Sequence, residues 1–116
     1  MSVELDLMQE KLRLRIETMC NHRARTVQIR WLIKYLRSYV TGAEVIDLDA
    51  FTTAMMSFHF IGVRALVAEF FDKFADTEGE DAGLINISAF ANLIVSQSLQ
   101  NKLDNMRRDG ANHLGF

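Results

Sequence analysis

Val45-Ile46-Asp47-Leu48-Asp49-Ala50-Phe51 returns 39 positions later as Leu84-Ile85-Asn86-Ile87-Ser88-Ala89-Phe90. Upstream, the same offset sets Val27 against Leu66, Trp31 against Phe70, Leu32 against Phe71 and Tyr35 against Phe74; downstream, Ala54 and Met55 fall on Leu93 and Ile94. Each copy reads as an aromatic-bearing apolar stripe, a glycine-containing loop, a short β-like step and a second apolar stripe. Repetition at a fixed period marks a duplicated supersecondary unit, and such a unit cannot bury its apolar face alone. Two copies are expected to pack face to face around Trp31, Tyr35, Phe51, Phe70, Phe71, Phe74 and Phe90.

The 116 residues include no proline, where ordinary usage would give about five or six. Proline is most damaging inside helices, so its absence favours an all-α fold. Ahead of the repeat, Leu5, Met8, Leu12, Ile16 and Met19 recur at three- and four-residue steps with charged flanks, which predicts an amphipathic helix over 3–20. A polar break at 21–25 follows, then a helix from about Thr26. The third helix is expected from Asp49, as its N-cap, to Phe58, with Gly62 linking to a fourth. The fifth is expected from an N-cap at Ser88 to about Arg108, where Arg107 and Arg108 suit the negative end of the helix dipole and Gly110 stops the turn. The expected organisation is a single domain over 1–116: the N-terminal helix 3–20, a first unit over about 26–59, a second over about 63–98, and a helix extension with tail over 99–116.

Composition excludes more than it selects. With 49% hydrophobic and 24% charged residues and a net charge of -2, the chain is neither disordered nor collagen-like. One cysteine, Cys20, cannot form an internal disulfide, and the acidic first ten residues lead into no apolar core, so a reducing, cytoplasmic setting without a leader is expected. No uncharged apolar run approaches the roughly 18 residues of a membrane span. Cys20, Met8 and Met19 are expected in the core. His22, His59 and His113 are far apart, and no metal-ligand, nucleophile-elbow or phosphate-loop spacing occurs, so no catalytic residue and no enzyme are expected.

In its repeat the chain resembles the EF-hand family. Phe70, Phe71 and Phe74 look like that family's incoming helix, Asp76 to Gly83 like its loop, Ile85 like its β residue and Ala89-Phe90 like the exit; Ile46 and Ala50-Phe51 look like the matching elements of the first copy. The resemblance implies an all-α EF-hand pair, two helix-loop-helix units with a short β pairing of Ile46 with Ile85 between loops, plus an extra N-terminal helix and a long C-terminal one. More loosely, an added helix carrying Leu12, Arg13 and Arg15 ahead of the pair is similar to calcyphosine-like EF-hand proteins. That likeness implies a cytoskeletal setting such as a cilium or flagellum.

The chain departs from the family pattern where calcium chemistry is decided. An EF-hand loop closes on a bidentate carboxylate that completes about seven oxygen ligands, and here both positions are alanine, Ala50 and Ala89. The first loop offers only Glu44 before its β residue, too little charge to dehydrate Ca²⁺. The second gathers Asp76, Glu78, Glu80 and Asp81, but from Phe74 to Ile85 it is about three residues longer than the family loop. Those four acids are the only metal candidates. A solvated acidic loop with no resident cofactor is the main expectation, and a Ca²⁺ sensor or buffer the alternative.

Protein binding remains as the expected role. Residues 1–39 carry eight basic side chains against four acids, and residues 40–116 five against eleven. Lys11, Arg13, Arg15, Arg23, Arg25 and Arg30 are candidates for an acidic partner such as a tubulin or other axonemal surface, or they face solvent or the acidic half of the same chain. Nucleic acid is disfavoured because the aromatics among them, Trp31, Tyr35 and Tyr39, lie on the apolar stripe. Met55 and Met56 are candidates for a groove that takes a partner helix, and Leu99, Leu103 and Met106 for a stripe meeting the first helix or another chain. The first helix either folds back on the pair or swings out to join a partner.

Overall fold

The computed structural model describes residues 3–58 and 64–96. Five helices and one two-stranded antiparallel sheet follow in the order α1 (Val3–Met19), α2 (Arg25–Arg37), β1 (Val45–Ile46), α3 (Leu48–Ser57), α4 (Arg64–Phe74), β2 (Ile85–Asn86) and α5 (Ile87–Ser96). The helical class expected from the sequence holds. His59, Gly62, Leu99, Leu103, Met106, Arg107, Arg108 and the tail lie outside the described residues.

β1 and β2 pair with Ile46 opposite Ile85 and Val45 opposite Asn86. Ile46 and Ile85 are themselves repeat equivalents, so the ladder is centred on a pseudo-two-fold axis between the units. Beyond the strands, the Ile87 amide donates to the Glu44 carbonyl at 2.9 Å. The strands hand over directly to α3 and α5 through matched caps. The Asp47 carboxylate accepts from the Ala50 amide at 2.8 Å, and the Asn86 side-chain carbonyl accepts from the Ala89 amide at 2.9 Å. Each satisfies one of the amides that a helix start leaves without an intrahelical partner. Asp49 and Ser88 were the expected caps; instead both lie inside their helices. Each helix begins as soon as its strand ends, which puts each capping side chain two residues earlier.

Packing crosses between the units: α2 lies chiefly against α5, and α3 against α4. At the centre Phe51 and Phe90, another equivalent pair, meet edge to face at 5.5 Å between centroids, with Phe70 and Phe71 around them. Edge-to-face rings align a positive edge with a negative face. Phe51, Phe70, Phe71 and Phe90 are buried, whereas Trp31, Tyr35 and Phe74 are half-buried against this core.

The core also takes in α1. Met8, Leu12, Ile16 and Cys20 are buried where α1 crosses α5, α4 and α2. The Lys73 ammonium of α4 reaches Asp6 at 3.2 Å and the Gln9 side-chain carbonyl at 3.1 Å. Of the two alternatives for the first helix, the folded-back one is present. Met19, expected inside, is instead 55% exposed: Ile16 and Cys20 already occupy the inward positions, and Met19 lies about 100° round the helix from Cys20.

α1 ends in a complete Schellman motif. The His22 amide donates to the Glu17 carbonyl at 2.8 Å and the Asn21 amide to Thr18 at 3.1 Å, with Asn21 at φ 53° and His22 at φ 58°. Left-handed backbone is the usual way to close a helix, and Asn tolerates it better than most residues. α2 then starts at Arg25 behind Ala24, which supplies no side-chain cap. The neighbouring turn is held from below by Gln28, whose buried amide nitrogen donates to the Arg23 carbonyl at 2.8 Å.

Candidate functional site

The acidic loop is closed by its own main chain. The Asp76 amide donates to the Leu84 carbonyl at 3.0 Å and the Gly83 amide to the Asp76 carbonyl at 2.8 Å. Asp76, Glu78, Glu80 and Asp81 are all exposed. No three His, Cys, Asp or Glu side chains converge as a metal-holding group among the described residues. The loop exits, Ala50 and Ala89, have no side chain that could reach a cation, and their amides are engaged by Asp47 and Asn86.

The methionine candidates separate. Met55 is 0% exposed inside the core, so it lines no open groove, while Met56 is 44% exposed. Adjacent helical residues diverge by about 100°, so a buried Met55 turns its neighbour outward. The apolar surface presented by the two repeat units is also covered by α1.

The basic candidates fall into distinct environments. Arg13 sits between Glu10 at 2.7 Å and Glu17 at 2.9 Å on its own helix; the bond to Glu10 leads in holding its guanidinium charged. Arg13 is therefore committed within α1 rather than free for a partner. Glu17 also accepts from His22 Nδ1 at 2.9 Å. Its carboxyl is held below the ordinary range, first by His22 and then by Arg13. Lys11, Arg15, Arg23, Arg25 and Arg30 are exposed. Neither Arg23 nor Arg25 forms an ion pair among the described residues.

A polar cleft of about 230 Å³ opens where the α1–α2 turn meets α5, lined by Arg13, Glu17, His22, Arg23, Arg25, Gln28 and Val95. The sequence places its arginines in a basic stretch but does not show that they share a cavity. Asn21 is a residue type that accepts left-handed backbone, but nothing in residues 21–25 announces that His22 follows it and folds the stretch back. Cys20, next to the turn in sequence, is a free, buried thiol, pushed up by burial and pulled partly back by Arg23.

A second polar feature threads the first unit. The Tyr35 hydroxyl donates to the Ala54 carbonyl at 2.6 Å and lies 3.3 Å from the Tyr39 hydroxyl, while its ring stacks on Trp31 and tilts against Phe58. Burial, followed by the Tyr39 hydroxyl, pushes Tyr35 well above the ordinary phenol range. Tyr39 is lowered, first by Tyr35 and then by Ser57. The structure makes this pair a support for α3 rather than a site.

No helix among the described residues is long and apolar enough to cross a membrane. Comparison with family models, with curated proteins and with solved structures found no match for the chain.

Proposed function

We propose that the chain is a degenerate EF-hand pair acting as a non-catalytic protein-interaction or structural module, with its N-terminal helix as a permanent part of the fold. The observation that carries this reading is the occupation of the pair's apolar surface by α1, where Leu12 and Ile16 are 0% exposed. A sensor needs that surface to open to a partner helix when calcium binds. Here it is filled from within, and Met55, half of the expected groove, is sealed in the core. Alanine at both loop exits supports the same reading, because calcium coordination draws its bidentate ligand from that position. The order of elements, a helix ahead of the pair, supports a cytoskeletal or ciliary assembly as the setting, with a tubulin or other axonemal surface as the partner.

Titration calorimetry of the full chain with Ca²⁺ and Mg²⁺, with circular dichroism before and after chelation, tests the proposal. The expected result is no binding in the sensor range of about 10⁻⁷–10⁻⁵ M and unchanged helicity. Calcium binding in that range, lost when Asp76, Glu78, Glu80 and Asp81 are neutralised, would replace the module with a sensor that uses the acidic loop.

A further inference from the structure

We infer that the cleft between the α1–α2 turn and α5 receives a carboxylate from an acidic segment of a protein partner, held by Arg23 and Arg25. The inference rests on the module reading above and adds where the partner is gripped and by what chemistry. Of the cleft's three arginines, Arg13 is already matched by Glu10 and Glu17. Arg23 and Arg25 are the lining cations without an ion pair among the described residues. A guanidinium fork presents parallel N–H groups that suit a carboxylate, and charge-assisted bonds of this kind are the strong ones.

The segment bearing the two arginines is fixed before any partner arrives. Gln28 holds the Arg23 carbonyl from inside the protein at 2.8 Å, and Asn21 and His22 keep the turn in left-handed backbone. α2 begins beside them without a side-chain cap, and the uncapped amide end adds partial positive charge to the same region. A cleft of about 230 Å³ has room for an acidic side chain together with some of its main chain. Its one ring is the His22 imidazole, already engaged by Glu17, so it lacks the Phe, Tyr or Trp platform on which single-stranded nucleic acid stacks successive bases.

The test is fluorescence anisotropy of a labelled ten-residue glutamate peptide titrated with the full chain at physiological salt. Two double variants of equal charge change are compared, Arg23→Gln with Arg25→Gln in the cleft, and Lys11→Gln with Arg30→Gln at exposed positions outside it. Circular dichroism checks that both remain folded. The expected outcome is saturable binding by the native chain, weakened on the order of tenfold or more by the cleft variant and by no more than about twofold by the other. Equal weakening by both variants would show diffuse attraction and overturn the cleft assignment, as would no binding by the native chain or tighter binding of a single-stranded oligonucleotide. None of these results alters the metal calorimetry, so a failed cleft and a failed module reading stay distinguishable.

Discussion

Between Tyr35 and Ile46 the first unit uses as many residues as the second does between Phe74 and Ile85, yet α2 runs on to Arg37 while α4 stops at Phe74. The same two repeat positions close both loops by different means. In the first unit Arg37 Nη2 reaches Glu44 at 3.3 Å through side chains. In the second, the equivalent Asp76 and Gly83 are joined main chain to main chain at 2.8 Å. The register therefore does not depend on loop chemistry. It is held at the exits, where Ile46 faces Ile85 and the Asp47 and Asn86 caps start their helices identically.

The largest effect should break the symmetry in the core. Phe70→Ala, at a fully buried ring, is expected to cost about 3–5 kcal/mol of unfolding free energy, read by urea denaturation. Its repeat equivalent Trp31 is half-buried, so Trp31→Ala should cost visibly less. Equal losses would mean that the first unit's aromatic stack carries as much of the core as the second's.

Loop closure should come next. Gly83 has φ 81°, a left-handed geometry that costs a residue with a Cβ about 1–2 kcal/mol, so Gly83→Ala should destabilise by that amount. Glu44→Ala, at the equivalent position, removes an exposed ion pair and should cost no more than about 1 kcal/mol. The caps should then restore the symmetry: Asp47→Ala and Asn86→Ala are each expected to cost about 1 kcal/mol, and a large disparity would show that one exit governs the register.

Alkali should act on one unit alone. The positions equivalent to Tyr35 and Tyr39 are Phe74 and Glu78, and the chain has only two tyrosines. Ultraviolet titration should resolve two phenolate steps, Tyr39 below the ordinary range and Tyr35 above it. Because Tyr35 is raised in the folded state, its contribution is fully present below an unfolded phenol pKa of about 10 and is lost as pH rises beyond it. Tyr35→Phe should remove that loss. A single step at the ordinary value would contradict the Tyr35–Tyr39 arrangement.

Much of this architecture is legible in the sequence because the repeat encodes it in two ways, through apolar periodicity and through a constant offset. The Ile46–Ile85 pairing was legible only through the family likeness, which puts one β residue at the same point of each unit and pairs the two. The caps were legible in kind but not in place, since Asp47 and Asp49 can both accept an amide and the choice depends on where the strand ends. The docking of α1 was open because Val3, Leu7 and Leu14 give the helix further apolar positions, which are exposed in the structure. The cleft was least legible. Its arginines are visible as charge, but their convergence depends on Asn21 and His22 taking a left-handed backbone that neither residue type dictates.

Because α2 lies on α5 and α3 on α4, each unit's helices find their main partners in the other. Each half leaves its main packing face to be covered by the other, so a chain severed between Phe58 and Arg64 should yield two fragments that are poorly structured apart and recover helicity when mixed. The same arithmetic makes swapping a hazard. Two intact chains could trade these halves and rebuild the α2–α5 and α3–α4 packing between them, a dimer made from the monomer's own interface.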